Sequence, residues 1–267
     1  MRRLALITTL AAVAAALAVA AVAADRAYPP DLSRHRDRSA AVVDSDGKLL
    51  RAYTTADGKW RLAATPRDVD PRYLAMLRGY EDQRFFYHPG VDPLAVVRAA
   101  GQLVWNLHVV SGASTLTMQA ARLLEPHPRS FAHKLAEMAR AAQLESRYSK
   151  DDILSMYLTL APFGGNVEGV RAASLTWFGK EPKRLSIAEA ALLVVLPQAP
   201  ERLRPDVNPI AAREARDKVL RRLAADGVID ALEAAEALRQ PVPTRRRPMP
   251  FHAPHLAEHL QIGRAHV

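Results

Sequence analysis

The sequence predicts a mainly α-helical protein with a small β-hairpin region near its N-terminus and an apolar N-terminal segment. Three observations carry this. Apolar residues make up 49% of the 267 residues and are mostly alanine, leucine and valine, while aromatics make up only 6%; that balance favours helices. Helix-start signals recur from residue 70 onward, and two Asp-Gly turn signals, Asp46-Gly47 and Asp57-Gly58, stand close together before residue 60. The length suits one sizeable core or two small ones.

Met1-Arg2-Arg3 precedes an uncharged run from Leu4 to Ala24, 21 residues long. About 20 apolar residues span a bilayer core, so the run reads as a membrane helix. Ala21-Val22-Ala23 also fits a signal-peptide cleavage site. Either reading exports the rest of the chain and leaves Arg2 and Arg3 inside. Residues 25–40 read as a polar linker, with Pro29-Pro30 and the basic stretch Arg34 to Arg38. Ala41 to Val43 and Leu49 to Tyr53 flank Asp44-Ser45-Asp46-Gly47, a hairpin signature. A second turn, Asp57-Gly58, leads into Trp60 to Ala63.

Helices follow. Asp70-Pro71 opens one with Tyr73, Leu74, Leu77 and Tyr80 on one face. Asp92-Pro93 opens another. Ser149 to Asp152 and Ser186 to Glu189 are capping boxes. Asn208-Pro209 starts a helix that Gly227 stops, and Asp230 to Glu233 opens the last. From Pro241 the composition turns to proline and arginine, with Arg245, Arg246 and Arg247 consecutive, a linker signature. Gln261 to Val267 shows no helix stop, and we read the chain as a fragment that ends where another domain would begin.

Lys and Arg exceed Asp and Glu by 37 to 28, a net charge of +9. Nucleic acid, acidic lipid headgroups and phosphorylated substrates all suit such a charge. An export signal and the lack of a basic-aromatic motif argue against nucleic acid. With no cysteine, a disulfide scaffold, a zinc–cysteine site and a thiol nucleophile are excluded.

Four clusters carry polar chemistry. Glu81 to Asp92 holds three acids, Arg84 and His88 at a helix end. Alone it reads as a solvated helix terminus. Its three aromatics would instead wall Glu81 with apolar surface, a setting that suits a general base. Gly112 to Gln119 offers small hydroxyl residues entering a helix, either a phosphate cradle or a simple N-cap at Ser114. His133 to Glu137 places Lys134 and Glu137 three apart on a helix, a surface ion pair or a cation beside a second carboxylate. Phe163 to Val170, followed by Trp177 to Lys180, is glycine-rich and allows close approach of backbones or a ligand.

Together these clusters resemble the glycosyltransferase family 51 domain of bifunctional penicillin-binding proteins. Glu81 to Asp92 matches E-D-x-x-F-x-x-H-x-G-x-D, Gly112 to Gln119 matches G-[GA]-S-T-x-T-x-Q, and Tyr148 to Leu158 matches Y-S-K-x-x-I-L-x-x-Y-L. Residues 133–137 match R-K-x-x-E with His133 in place of the usual arginine. Met118, Ala161 to Gly165 and Leu196 to Pro200 look most like the 1C type of that family.

The resemblance implies a lysozyme-like glycosyltransferase domain over 41–240. Before it come a signal anchor over 1–24 and a linker over 25–40, and after it, over 241–267, a stub toward a missing transpeptidase domain. It implies polymerisation of lipid II into β-1,4-linked glycan at the outer face of the cytoplasmic (inner) membrane. Partners would be lipid II, the growing strand, the membrane and other cell-wall synthesis proteins. Glu81 would be the general base and Glu137 the second acid. Asp82, Phe85, His88, Gly112, Ser114, Thr115, Gln119 and Lys134 would contact substrate, with Lys134 as the cation for the departing pyrophosphate. No cofactor is required on this reading; a divalent cation, magnesium or manganese, beside Asp82 is an option. Ser45 to Lys48 fits S-x-x-K by chance, so the chain should not bind penicillin. The competing readings are a lysozyme-like lytic glycosidase and a membrane-anchored binding module without catalysis.

Overall fold

Local signals account for most element starts in the computed structural model of the protein. It describes residues 12–13, 15–16, 19, 22–23, 25–106, 114–128, 130–252, 255 and 258. The chain divides into two units, Met1–Asp31 and Leu32–Val267. In the first, the described residues between 12 and 27 are helical. Among the described residues no helix is long and apolar enough to cross a membrane; much of the uncharged run 4–24 lies outside them.

The second unit begins with one helical turn, α1 (Ser33–Arg36), and the antiparallel hairpin of β1 (Ala41–Val43) and β2 (Leu49–Ala52). Asp44 Oδ1 accepts from the backbone N–H of Asp46 and Lys48, and Gly47 takes φ 78°, so the Asp-Gly turn forms where its chemistry predicts. Strand β3 (Trp60–Arg61) pairs in parallel with β4 (Val167–Glu168), a partner no local pattern reveals.

That distant pairing corrects the linker reading of residues 32–40. Arg61 is 1% exposed and donates to Glu168 (2.7 Å), Asp37 (3.0 Å) and Asp57 (3.0 Å). Arg34 reaches the same Glu168 at 2.8 Å and the carbonyl of Leu123 at 2.7 Å. Burial pulls the Arg61 pKa down, but the Glu168 and Asp57 carboxylates outweigh it and hold it above its ordinary value. A buried charge must be partnered, and satisfying this pair draws residues 34–37 into the fold.

Among the described residues, helices build most of the core. They are α2 (Pro71–Glu81), α4 (Leu116–Leu124), α5 (Phe131–Arg147), α6 (Lys150–Leu160), α7 (Val170–Phe178), α8 (Ile187–Val195) and α9 (Pro209–Ala225). Helix α3 (Pro93–Asn106) lies between α2 and α4 in sequence, and α10 (Ala231–Arg239) closes the series. Asp70 caps α2, accepting from Arg72 N at 2.9 Å, and its other oxygen accepts from Leu185 N at 3.0 Å just before α8. Both predicted capping boxes form, Ser149 with Asp152 and Ser186 with Glu189. Asp230 caps α10, and Gly227 ends the α9 turn at φ 69°.

Helix α8 is buried along nearly its whole length and packs on α2, α9 and α10. Helix α4 packs between α5 and α6. The C-terminal end of α2 and the N-terminal halves of α4 and α5 thereby meet at one cleft. The segment after 240, read as a linker, lies against this unit as far as residue 252. Arg247 N donates to Thr176 O and His252 N to Leu50 O, and Arg246 stacks over Trp177 at 5.4 Å.

One glycine controls how α5 approaches the loop after α2. Gly90 has φ 92°, and a Cβ there would stand 2.7 Å from the carbonyl oxygen of Ala141 on α5. Gly90→Ala combines a left-handed backbone with a backbone clash, so we expect a loss of at least about 2 kcal/mol in urea unfolding. Gly58→Ala has a similar φ of 73° but nothing within 4 Å, and should lose only about 1 kcal/mol. Equal losses would show that the Gly90 approach is not tight.

Candidate active site

Glu81 is the last residue of α2. Its Oε2 accepts from Gln119 Nε2 on α4 at 2.9 Å, and its Oε1 accepts from Gln198 Nε2 at 2.8 Å. Gln198 ends the single 3₁₀ turn Leu196–Gln198 that follows α8. Two amides from two elements thus fix the carboxylate. Beneath it the phenols of Tyr73 and Tyr157 are buried and have no hydrogen-bond partner among the described residues. Burial raises their pKa values and the Glu81 charge raises them further, so both stay neutral.

Asp82 leaves the helix with φ −160° and is 7% exposed. Its Oδ2 accepts from Leu116 N at 2.9 Å, and its two oxygens lie 3.0 and 3.1 Å from His88 Nε2. It ties the start of α4 to the end of α2, which sets Gln119 against Glu81. Both Asp82 oxygens are engaged, and among the described residues no three His, Cys, Asp or Glu side chains gather to hold an ion.

A cleft of ≈ 1080 Å³ opens over these groups. Glu81 and Asp82 line it from α2, Ser114, Thr115 and Gln119 from the start of α4, and Lys134 and Glu137 from α5. Sequence reasoning named all seven. Gly112 lies outside the described residues. Phe85 and His88, named as substrate contacts, do not line the cleft. Phe85 is 1% exposed in the core beneath Lys150, whose Nζ is 4.5 Å from the ring centre, and His88 is buried behind Asp82.

The expected aromatic wall around Glu81 does not form either. Besides the buried Phe85, Phe86 lies under Arg78, and Tyr87 points outward at 87% exposure. The 3₁₀ turn Phe85–Tyr87 turns these three rings in different directions.

Thr115, rather than Ser114, caps α4. Its Oγ1 accepts from Met118 N at 3.1 Å and donates to Gly90 O at 2.5 Å. Ser114 Oγ is therefore available to Lys134 Nζ at 2.5 Å. The same Nζ lies 2.8 Å from Glu137 Oε2. Glu137 is 6% exposed, and its Oε1 faces His127 Nε2 at 3.6 Å and Arg122 Nε at 4.0 Å. One side of the cleft presents a fixed carboxylate. The other presents cations gathered on a buried carboxylate, an arrangement that suits a negatively charged leaving group.

Three contributors were absent from the site reading. Gln198 appeared only as part of a family-type marker, Arg122 drew no attention on α4, and His127 stands outside every motif. Gln119, expected at the leaving group, donates to Glu81 instead.

The sequence model of the family described as Transglycosylase matches residues 46–224. The chain is 48% identical over 258 residues to penicillin-binding protein 1C of Escherichia coli (strain K12), covering 96% of this chain and 33% of that one. It is 36% identical over 205 residues to penicillin-binding protein 1A of Pseudomonas aeruginosa, covering 75% of this chain and 24% of that one. The crystal structure of penicillin-binding protein 1A from Haemophilus influenzae aligns at a TM-score of 0.45 and 20% identity, covering 85% of this chain and 24% of that one. The chain thus spans a quarter to a third of the length of these relatives.

Proposed function

The chain belongs to the transglycosylase family, and from that premise we propose that it polymerises lipid II into β-1,4-linked glycan with release of undecaprenyl pyrophosphate. Glu81 takes the proton from the acceptor 4-hydroxyl. That oxygen attacks the anomeric carbon of the growing chain, the carbon–oxygen bond to the diphosphate breaks, and the configuration inverts. Lys134 meets the charge that develops on the departing diphosphate, with Ser114 beside it, and Glu137 holds Lys134 in place. The chain's own residues supply the proton transfer and the charge, so no cofactor enters the step.

The observation that carries this reading is the pairing of the amide-held Glu81 with the Lys134–Ser114–Glu137 group across one cleft. A glycosidase acting on finished strands has no diphosphate to hold, so that group favours transfer over hydrolysis. Incubation of the purified chain with lipid II and, separately, with finished glycan strands decides between them. We expect polymer and released lipid diphosphate from the first and no cleavage of the second; cleavage without polymer would establish a lytic enzyme.

The uncharged run Leu4 to Ala24 serves as the signal anchor, a single pass through the inner membrane, with the catalytic unit on its outer face. The +9 charge then faces anionic headgroups and a diphosphate-linked substrate. The growing strand and other cell-wall synthesis proteins are the remaining partners.

His133 stands where the family pattern has arginine. A permanent cation holds phosphate at least as well as imidazole at pH 7. His133→Arg should therefore polymerise lipid II at no less than the wild-type rate, and a large loss in that assay would assign the histidine a specific role.

A further inference from the structure

We infer that His127 is a further, proton-dependent cation for the substrate's diphosphate, an inference that rests on the transglycosylase reading of this cleft. Both His127 and His133 line the cleft, yet only His133 falls within a motif.

The geometry asks for charge on His127. Its Nδ1 lies 3.1 Å from the carbonyl oxygen of Pro128, and its Nε2 lies 3.6 Å from Glu137 Oε1. A carbonyl and a carboxylate can only accept. A neutral imidazole carries one N–H, so it serves one of them and turns a lone pair toward the other. The imidazolium serves both. His133 needs no charge, because Ser130 Oγ at 2.7 Å from its Nδ1 can donate or accept. Its ring lies nearly parallel to that of His127, with centroids 4.6 Å apart and planes at 9°, and a neutral aromatic face suits a stacked cation.

The surrounding charges set the balance. Glu137 attracts the proton, while Arg122 and Lys134, gathered on the same carboxylate, oppose it. Glu125, two residues before His127, is engaged by Arg140 at 3.0 Å. Arg34, which shares a smaller adjoining groove with His127, is paired with Glu168. Lys134, Arg122 and Glu137 together carry one net positive charge, and protonated His127 makes it two. Imidazole changes charge between pH 5 and 8. An imidazole's contribution to the affinity for a diphosphate therefore falls as pH rises through that window.

The test is calorimetric titration of the full chain with inorganic pyrophosphate at pH 6 and pH 8. Pyrophosphate itself titrates here, so the quantity read is the ratio of dissociation constants, His127→Gln over wild type. We expect about tenfold at pH 6 and close to one at pH 8. Lys134→Met should weaken binding at both pH values. A His127→Gln ratio equal at both pH values overturns the inference and leaves the site reading standing. No pyrophosphate binding by the wild type overturns both. A second arm follows KM for lipid II in polymerisation: the variant should raise it at pH 6 and not at pH 8. An unchanged pH profile there overturns the assignment to the substrate's own diphosphate. Unfolding midpoints of both proteins at both pH values exclude a loss of fold.

Discussion

Glu81→Gln is expected to lower the rate of lipid II polymerisation by about 10²- to 10⁴-fold, the usual contribution of a general base. The amide has the same shape and cannot take the acceptor proton. Its fold cost should be small for a reason visible in the site. Glu81 accepts one hydrogen bond on each oxygen, from Gln119 and from Gln198. A glutamine at 81 keeps one acceptor and brings a donor in place of the other. The partner that loses its acceptor can rotate its own amide and present its oxygen instead. Stability should stay within about 1 kcal/mol of wild type, so loss of turnover reports on chemistry. Release of undecaprenyl pyrophosphate measures it, and the deficit should appear in kcat with KM little changed. Turnover within threefold of wild type would remove Glu81 from the base role and favour the binding-module reading.

The same two glutamines show where sequence reasoning stops. The caps of α2, α6, α8 and α10 were legible because each is a contact over two or three residues, written in Asp70, Ser149, Ser186 and Asp230. The hairpin turn at Asp44 to Gly47 is equally local. Gln198 meets Glu81 from 117 positions away, and only the packing of α8 on α2 brings it there. The cap of α4 failed by one residue for a similar reason. Ser114 and Thr115 both carry the right hydroxyl, and the choice falls to Thr115 because Gly90 O accepts from its hydroxyl and Lys134 takes Ser114. The segments read as linkers failed on charge. Composition placed Arg34 and Arg246 in linkers, whereas the carboxylate of Glu168 and that of Asp206, 3.3 Å from Arg246 Nε, hold them against the fold. The motifs named seven residues that line the cleft, and the structure divides the contacts among them differently from the sequence reading. Asp82, Phe85 and His88 are packed as supports for α4 and for the loop after α2.

Lys134→Met should cost about 10²- to 10³-fold in turnover, the scale seen when one preorganised donor to a developing charge is removed. The side chain keeps its length and loses its charge. A structural objection must be met, because Glu137 is 6% exposed and Lys134 at 2.8 Å is its nearest cation. Removing the lysine leaves that carboxylate to Arg122 at 4.0 Å and His127 at 3.6 Å, which should destabilise the fold by about 1–3 kcal/mol. The double variant Lys134→Met/Glu137→Gln separates the two effects. It removes the stranded negative charge, so most of the lost stability should return in urea unfolding. Turnover should stay down, because the diphosphate still lacks its cation. Recovery of turnover together with stability would mean that Lys134 serves only to neutralise Glu137, and the leaving group would then have to be met by Arg122 and His127.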